Sequence, residues 1–434
     1  MNSLELFSYI VMGLLAQLTI FAGMAFYRHW LTYQALQRRL AGFEADLPNS
    51  PVQNDKPNGK LIDSQTDGWE GFREFRVQRK VFEDVSRSIC SLYLVPTDGY
   101  SLPAFKPGQF LTFQFNISDS VTGKSKTIMR CYSLSERPGL GYYRVSIKKV
   151  PPPIHSKGVP PGLASNHVHA SVHEDTRLLI KAPSGHFFLE QGEAPIVLIA
   201  GGIGITPLLS MLNANFEGGQ SREIWLFYGV RNSAEHVRKE YLETLASKQT
   251  KFHLHVCYSQ PLPEDMHGKD FQHAGHVDIT LLRLTLSLKP YRFYVCGPGA
   301  MMNSLVPDLD TWGVPEEHIH FEAFGPASIA KPNNHQTSLS EMASFSATRS
   351  VVTVTFSKSE KTLPWDENVN SLLEFAELNG IEVESGCRAG GCGTCQTTIR
   401  DGEVIYSQTP NFDPEPGSCL LCISKPKRDL LLVA

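Results

Sequence analysis

The chain changes its hydrophobic rhythm several times, and each change predicts a different kind of element. Residues 6–27, LFSYIVMGLLAQLTIFAGMAFY, are an apolar run without one charged side chain. As a helix this run would be roughly 33 Å long, enough for a bilayer core of roughly 30 Å. It predicts a membrane anchor over 1–28. A secretory leader is the competing reading, but it would want Lys or Arg ahead of the run, where only Glu5 stands. Beyond it, Tyr33, Leu36, Leu40 and Phe43 recur three and four apart. That is the stripe of an amphipathic helix, docked on its own protein, on the membrane surface or on a second copy. Residues 48–68 are polar and rich in Pro, Asn and Gly, so 29–69 reads as a juxtamembrane helix with a flexible tether.

From 70 to 192 short β-rich runs (RSICSLYLVP, QFLTFQFNI, YYRVSIKKV, TRLLIKAP) alternate with turn signals, the pattern of an antiparallel β-barrel. Between 193 and 327 the strands become continuous apolar runs (APIVLIA, EIWLFYGV, YRFYVC), with helical stretches between several of them. This alternation predicts an α/β doubly wound parallel sheet. Residues 328–349 form a second linker. Residues 350–434 open with the alternating VVTVTF and hold one helix candidate, VNSLLEFAELNG, predicting a small α+β domain.

Charge and cysteine usage narrow the classes. With 40 Lys and Arg against 44 Asp and Glu, nothing electrostatic points to nucleic acid. Arg28, Arg38 and Arg39 follow the apolar run and no basic residue precedes it. The positive-inside rule then puts the rest of the chain in the cytoplasm, at the cell (inner) membrane as a single-pass protein. Five of the nine cysteines fall within the last 48 residues. That clustering favours metal or redox chemistry over a disulfide framework.

The stretch CRAGGCGTC places Cys387, Cys392 and Cys395 in a C-x4-C-x2-C loop, and Cys422 supplies a fourth thiol. This is the spacing of plant-type [2Fe–2S] ligands. Gly390, Gly391 and Gly393 allow the loop to wrap tightly and turn backbone N–H groups toward the sulfurs. A structural zinc site is the alternative, with Cys419 and Cys422 as its second turn. CISKPKRDL, which contains Cys422, resembles the C-x3-P-x2-D stretch of plant-type ferredoxins, which implies a β-grasp ferredoxin domain with Cys422 as ligand.

Two upstream motifs point to an electron source. RCYSLSERP resembles the R-x-Y-S flavin motif of the ferredoxin–NADP⁺ reductase superfamily. The resemblance implies Arg130 on a flavin phosphate, Tyr132 against the isoalloxazine and Ser133 near N5, with Lys148 in YYRVSIKKV also at the cofactor. PPGLASNHVHASV resembles the G-x-x-S-N loop of flavohaemoglobin-type reductases, which implies Gly162, Ser165 and Asn166 at an FAD pyrophosphate, and so FAD over FMN. IAGGIGITP matches the superfamily's G-G-x-G-x-T-P nicotinamide loop, implying Gly201, Gly202, Gly204, Thr206 and Pro207 at the dinucleotide. YVCGPGAMM matches its C-G-P motif, implying Cys296, Gly297 and Pro298 beside the nicotinamide. HFEAFGPAS resembles the end of the flavohaemoglobin nucleotide domain, implying Phe324 over the flavin and Glu322 near the reacting centre.

The order flavin, nucleotide, iron–sulfur is shared with phthalate dioxygenase reductase-like proteins of the oxygenase-reductase type. The resemblance implies a catalytic set of Ser133, Cys296 and Glu322, and electron flow from NADH or NADPH through FAD and the [2Fe–2S] cluster to a protein acceptor. A membrane anchor suggests an oxygenase, hydroxylase or desaturase at the membrane as that acceptor. A membrane-tethered redox sensor with little turnover is the alternative. Arg231 and Arg238 are candidates to meet the 2′-phosphate of NADPH.

Overall fold

The computed structural model describes residues 68–118, 125–152, 161–217, 222–324, 352–388, 390–407, 410 and 412–434. The expected anchor, juxtamembrane helix and tether through residue 67, and the linker 328–349, lie outside the described residues. Among the described residues no helix is long and apolar enough to cross a membrane.

The alternating stretch forms β1 (Arg73–Phe82), β2 (Ile89–Pro96), β3 (Phe110–Ser118), β4 (Ser125–Ser133), β5 (Tyr143–Lys148) and β6 (Arg177–Ser184). They make one antiparallel sheet in the order β4-β3-β6-β1-β2-β5. Its two edges touch. Leu134, just past β4, bridges Val145 of β5, and the Ser135 N–H donates to the Arg144 carbonyl at 2.8 Å. Rolling the sheet this way puts alternate side chains inside, where Phe75, Val77, Leu92, Phe113, Val145 and Ile180 are buried. Helix α1 (Leu163–Ser171) lies between β5 and β6 in sequence. The Lys80 ammonium donates to the carbonyls of Val168, His169 and Val172 (2.9, 2.9 and 2.7 Å), placing a cation at the negative end of this helix.

The apolar runs form a parallel sheet of β7 (Ile196–Gly201), β8 (Ile224–Val230), β9 (Phe252–Tyr258), β10 (His273–Ala274), β11 (Arg292–Gly297) and β12 (Ile319–Ala323). The order is β10-β9-β8-β7-β11-β12. Helices α2 (Ile205–Glu217), α3 (Lys239–Lys248), α4 (Ile279–Thr285) and α5 (Gly299–Thr311) connect its strands. All of β7 is buried, as a strand covered on both faces requires. The order reverses between β7 and β11, and a crevice at such a switch point is where doubly wound sheets bind ligands. Backbone proximity there depends on glycine. A Cβ on Gly204 would stand 2.2 Å from the Cys296 carbonyl oxygen. Gly204→Ala should therefore destabilise the protein by about 1–3 kcal/mol, the usual cost of forcing atoms into a filled site. A thermal melt that leaves the midpoint unchanged would contradict this contact.

A buried polar network fixes barrel against sheet. Arg144 Nη1 pairs with Glu136 Oε2 at 3.0 Å, and both side chains are nearly solvent-free. From α2, Ser210 donates to the Glu136 carbonyl (2.7 Å) and Asn213 Nδ2 to its Oε1 (2.5 Å). The Tyr241 hydroxyl of α3 donates to Asn213 Oδ1 at 2.6 Å.

The last domain holds β13 (Thr353–Phe356), β14 (Lys361–Pro364), helix α6 (Leu372–Leu378), β15 (Gln396–Asp401), β16 (Val404–Tyr406), β17 (Ser418–Leu420), β18 (Ser424–Pro426) and β19 (Leu430–Leu432). Its main sheet runs β14-β13-β19-β15-β17, with β13 parallel to β19. Ser371 caps α6 by accepting from the Glu374 N–H at 3.2 Å. Leu372, Leu373, Phe375 and Ala376 pack α6 onto the sheet core. The arrangement is ferredoxin-like.

Candidate functional site

Strand ends and loops from all three domains converge on a cavity of about 830 Å³. The barrel contributes Phe110, Arg130, Cys131, Tyr132 and Ser133, and the N-terminal turn of α1 contributes Gly162, Leu163 and Ala164. The parallel sheet contributes Gly201, Gly202, Thr206, Gly297, Pro298, Glu322 and Phe324 at its switch point. The cysteine loop closes the cavity with Gly386, Cys387, Arg388 and Gly391.

On the barrel side, Arg130 Nη1 donates to the Met129 carbonyl at 2.6 Å. Burial and the nearby Arg388 charge both press on its cationic form. Two neighbouring guanidiniums in a cavity suit a phosphate. The Tyr132 ring meets Phe113 edge-on at 5.5 Å. Gly162 caps α1, and a Cβ there would come within 2.8 Å of Val150. Ser165 and Asn166 serve their own loop. Ser165 Oγ accepts from the Val150 N–H (3.2 Å), and Asn166 Nδ2 donates to the Val150 and Gly162 carbonyls (2.8 Å each). They hold the helix end open toward the cavity, where an anion gains from the positive end of the dipole. Lys148 also lines the cavity and donates to Glu235 Oε2 at 3.1 Å, tying the barrel to the loop after β8.

On the sheet side, Gly202 has φ +52° and Thr206 Oγ1 donates to the Ile203 carbonyl at 3.0 Å, shaping the turn into α2. Pro207 is buried in the first turn of that helix, outside the cavity lining. Cys296 is fully buried and does not line the cavity either. It pairs in register with Glu322 on β12. Burial lifts the Glu322 carboxyl to about 8, against the Ser133 hydroxyl that donates to its Oε2 at 3.4 Å. Ser133 and Glu322 are 189 residues apart in sequence; the motif resemblances placed each at the reacting centre, and the structure joins them by this bond.

The four cysteines converge two by two. Cys387 and Cys392 share one corner, where the Cys387 N–H donates to Cys392 Sγ and the Gly391 N–H to Cys387 Sγ, both at 3.2 Å. Cys395 and Cys422 pair at the other. Among the described residues no three Cys, His, Asp or Glu side chains gather as ligands for one metal ion. A dinuclear cluster with two thiolates on each iron fits this donor set, and one tetrahedral zinc does not. Gly390 and Gly393 have φ +72° and +70°, and a Cβ on either would strike Ile423 or Phe412 at 2.5 Å. Cys419 is buried in the domain core. Arg388, also left-handed at φ +58°, makes a two-armed ion pair with Glu377.

The family model for an oxidoreductase NAD-binding domain matches residues 198–306, and that for a 2Fe-2S iron-sulfur cluster binding domain matches 354–427. The parallel-sheet domain is thus similar to oxidoreductase NAD-binding domains, and the last domain to 2Fe-2S iron-sulfur cluster binding domains. The chain's cofactors are FAD, NAD(P)H and a [2Fe–2S] cluster. The chain is 41% identical to a flavohemoprotein of Halalkalibacterium halodurans over 261 residues, 60% of this chain and 61% of that one. It thus spans about 61% of the length of that curated relative. Phthalate dioxygenase reductase, described as a modular structure for electron transfer from pyridine nucleotides to [2Fe-2S], superposes with TM-score 0.50 at 25% identity, over 84% of this chain and 98% of that one. The flavohem-like FAD/NAD-binding domain of nitric oxide dioxygenase from Vibrio cholerae superposes with TM-score 0.50 at 28% identity, over 59% of this chain and all (100%) of that domain.

Proposed function

We propose that the reductase takes electrons from NADH at the switch-point crevice, passes them through FAD to the [2Fe–2S] cluster, and delivers them to a membrane-associated oxygenase, hydroxylase or desaturase. In this reading residues 6–27 anchor it in the cell (inner) membrane and the catalytic domains face the cytoplasm. The observation that carries the route is the shared cavity: the cluster loop lines the same space as the flavin motif and the nicotinamide loop.

A bound FAD would supply hydride acceptance and one-electron release. The chain's own residues supply position and protons. Arg130 and the α1 terminus at Gly162 take the flavin phosphates, with Lys148, Ser165 and Asn166 setting the loop around them. Tyr132 and Phe324 bound the ring. Gly201, Gly202, Gly204, Thr206 and Pro207 shape the dinucleotide loop, and Gly297 and Pro298 the turn facing it. Cys296 stands beside Glu322 on the neighbouring strand, and Glu322 holds a proton beside Ser133. Cys387, Cys392, Cys395 and Cys422 hold the cluster.

NADH is favoured over NADPH by the surroundings of Arg231 and Arg238. Glu235 pairs with Arg231 and with Lys148, so the loop after β8 offers a shared carboxylate rather than a spare cation. Burial opposes that charge, yet the bonds from Arg231 and Lys148 hold the carboxyl below its usual range. Arg238 is turned onto the Tyr241 ring at 4.7 Å. An acidic residue near the end of the second strand suits a ribose 2′-hydroxyl and repels a 2′-phosphate. We expect kcat/KM for NADH to exceed that for NADPH by at least about tenfold, equivalent to about 1.4 kcal/mol. Equal values would remove this assignment.

Anaerobic titration of the full-length holoprotein with NADH tests the route. Both the flavin and the cluster absorbance should bleach, and turnover should follow when cytochrome c is added. Bleaching without turnover would favour a redox sensor instead.

A further inference from the structure

Cys131 has no part in the electron route so far, although it lies between the two flavin residues Arg130 and Tyr132. Its sulfur is 3.3 Å from Thr112 Oγ1, on the register partner across the β3–β4 ladder. Its other polar neighbour comes from the ferredoxin domain. The Cys392 thiol lies against it, and Cys387 stands close by. Cys131 and Cys387 both line the cavity. Nearby, a Cβ on Gly391 would touch the Phe110 ring at 4.0 Å, so the flavin barrel and the cluster loop are packed together here.

A thiol has one proton to donate and weak acceptor capacity, whereas a threonine hydroxyl can do both. Thr112 can donate to the Cys131 sulfur and leave the thiol proton for Cys392. As a cluster ligand, Cys392 is a thiolate and so the more strongly accepting neighbour. Hydrogen bonds to ligand sulfurs are among the factors that set a cluster's reduction potential, because they offset the charge of the added electron.

We propose that Cys131 is a positioning residue for the flavin-to-cluster step: the chain Thr112–Cys131–Cys392 gives the cluster a hydrogen bond that originates in the flavin strand and strengthens its hold on an electron. This rests on the [2Fe–2S] reading of the four cysteines. It also makes the potential depend on domain docking, since the donor belongs to the barrel and the acceptor to the ferredoxin domain.

The test is an EPR-monitored redox titration of full-length holoprotein, comparing wild type with Cys131→Ala, Cys131→Ser and Thr112→Val. Cys131→Ala should move the distribution of a single electron at least threefold toward the flavin, about 28 mV at about 59 mV per decade. Cys131→Ser keeps a donor and should restore the wild-type potential. Thr112→Val should give a smaller shift in the same direction. A Cys131→Ala protein that loads its cluster and keeps the wild-type potential overturns the proposal. If Cys131→Ala does not load, an unshifted potential in Thr112→Val overturns it. A wild-type protein without a [2Fe–2S] signal overturns the cluster reading itself, which is a separate failure visible before any variant is made.

Discussion

Replacing Cys422 with serine is expected to abolish electron delivery to cytochrome c while leaving NADH oxidation by ferricyanide within about twofold of wild type. Cys422 stands with Cys395 at one corner of the four-thiol set, and 27 positions separate them in sequence. Without it the chain would offer a bound cluster three thiolates instead of four. Loss of a mere partner to a metal ligand costs about ten- to a hundredfold, so loss of a ligand should lower cytochrome c reduction by more than about a hundredfold. The flavin and nicotinamide residues belong to the barrel and the parallel sheet, whose cores are built independently of the ferredoxin core. Hydride transfer to the flavin should therefore survive, and ferricyanide can collect electrons there directly. Parallel loss of both activities would show that the cluster domain is needed for flavin binding. Cys419→Ser, by contrast, should keep the cluster.

The second large effect is expected at Glu322. Its carboxyl is partly buried at the cavity wall, lifted to about 8 by desolvation there, and bonded to Ser133. At pH 7 it therefore carries a proton in the folded protein. As pH rises through about 8 the proton is lost, and a negative charge appears in the cavity where hydride arrives. Stopped-flow flavin reduction by NADH should be fastest below about pH 8 and fall above it. Glu322→Gln keeps the shape but cannot exchange the proton. It should remove that limb and slow flavin reduction by about a hundredfold, within the range for loss of a general acid. An unchanged pH profile in Glu322→Gln would assign the limb to another group. The linkage sign is equally definite. The folded pKa lies above the ordinary value of 4.5, so this group's contribution to stability is complete below about pH 4.5 and is lost as pH rises toward 8.

Much of this protein was legible in one dimension because the relevant physics is local. Three of the four cluster cysteines lie within nine positions, and the glycines between them satisfy backbone demands that any such loop makes. The period-two and continuous apolar runs carried the barrel and the parallel sheet, because burial on one face or on two leaves its mark on each strand separately. The order of modules followed directly. The resemblance placed Ser165 and Asn166 at the cofactor, and the structure adds that their side chains bond the loop bordering the cavity, which Ser165 also lines. A motif names the residues that make a turn without distinguishing those that face the ligand from those that hold the turn in shape.

Alone, then, the sequence determined the domain order, the strand and helix types, and the thiol set with its spacing. Tertiary structure decided what faces what. It joined Ser133 to Glu322, turned Arg238 onto Tyr241, neutralised Arg231 with Glu235, and sorted the cysteines into two pairs. It also set Cys131 of the flavin strand against Cys392 of the cluster loop. Each of these is a contact between distant side chains or a choice among several partners in reach. Its energy depends on burial and distance in the folded chain, and neither quantity exists until strands from separate domains are packed together.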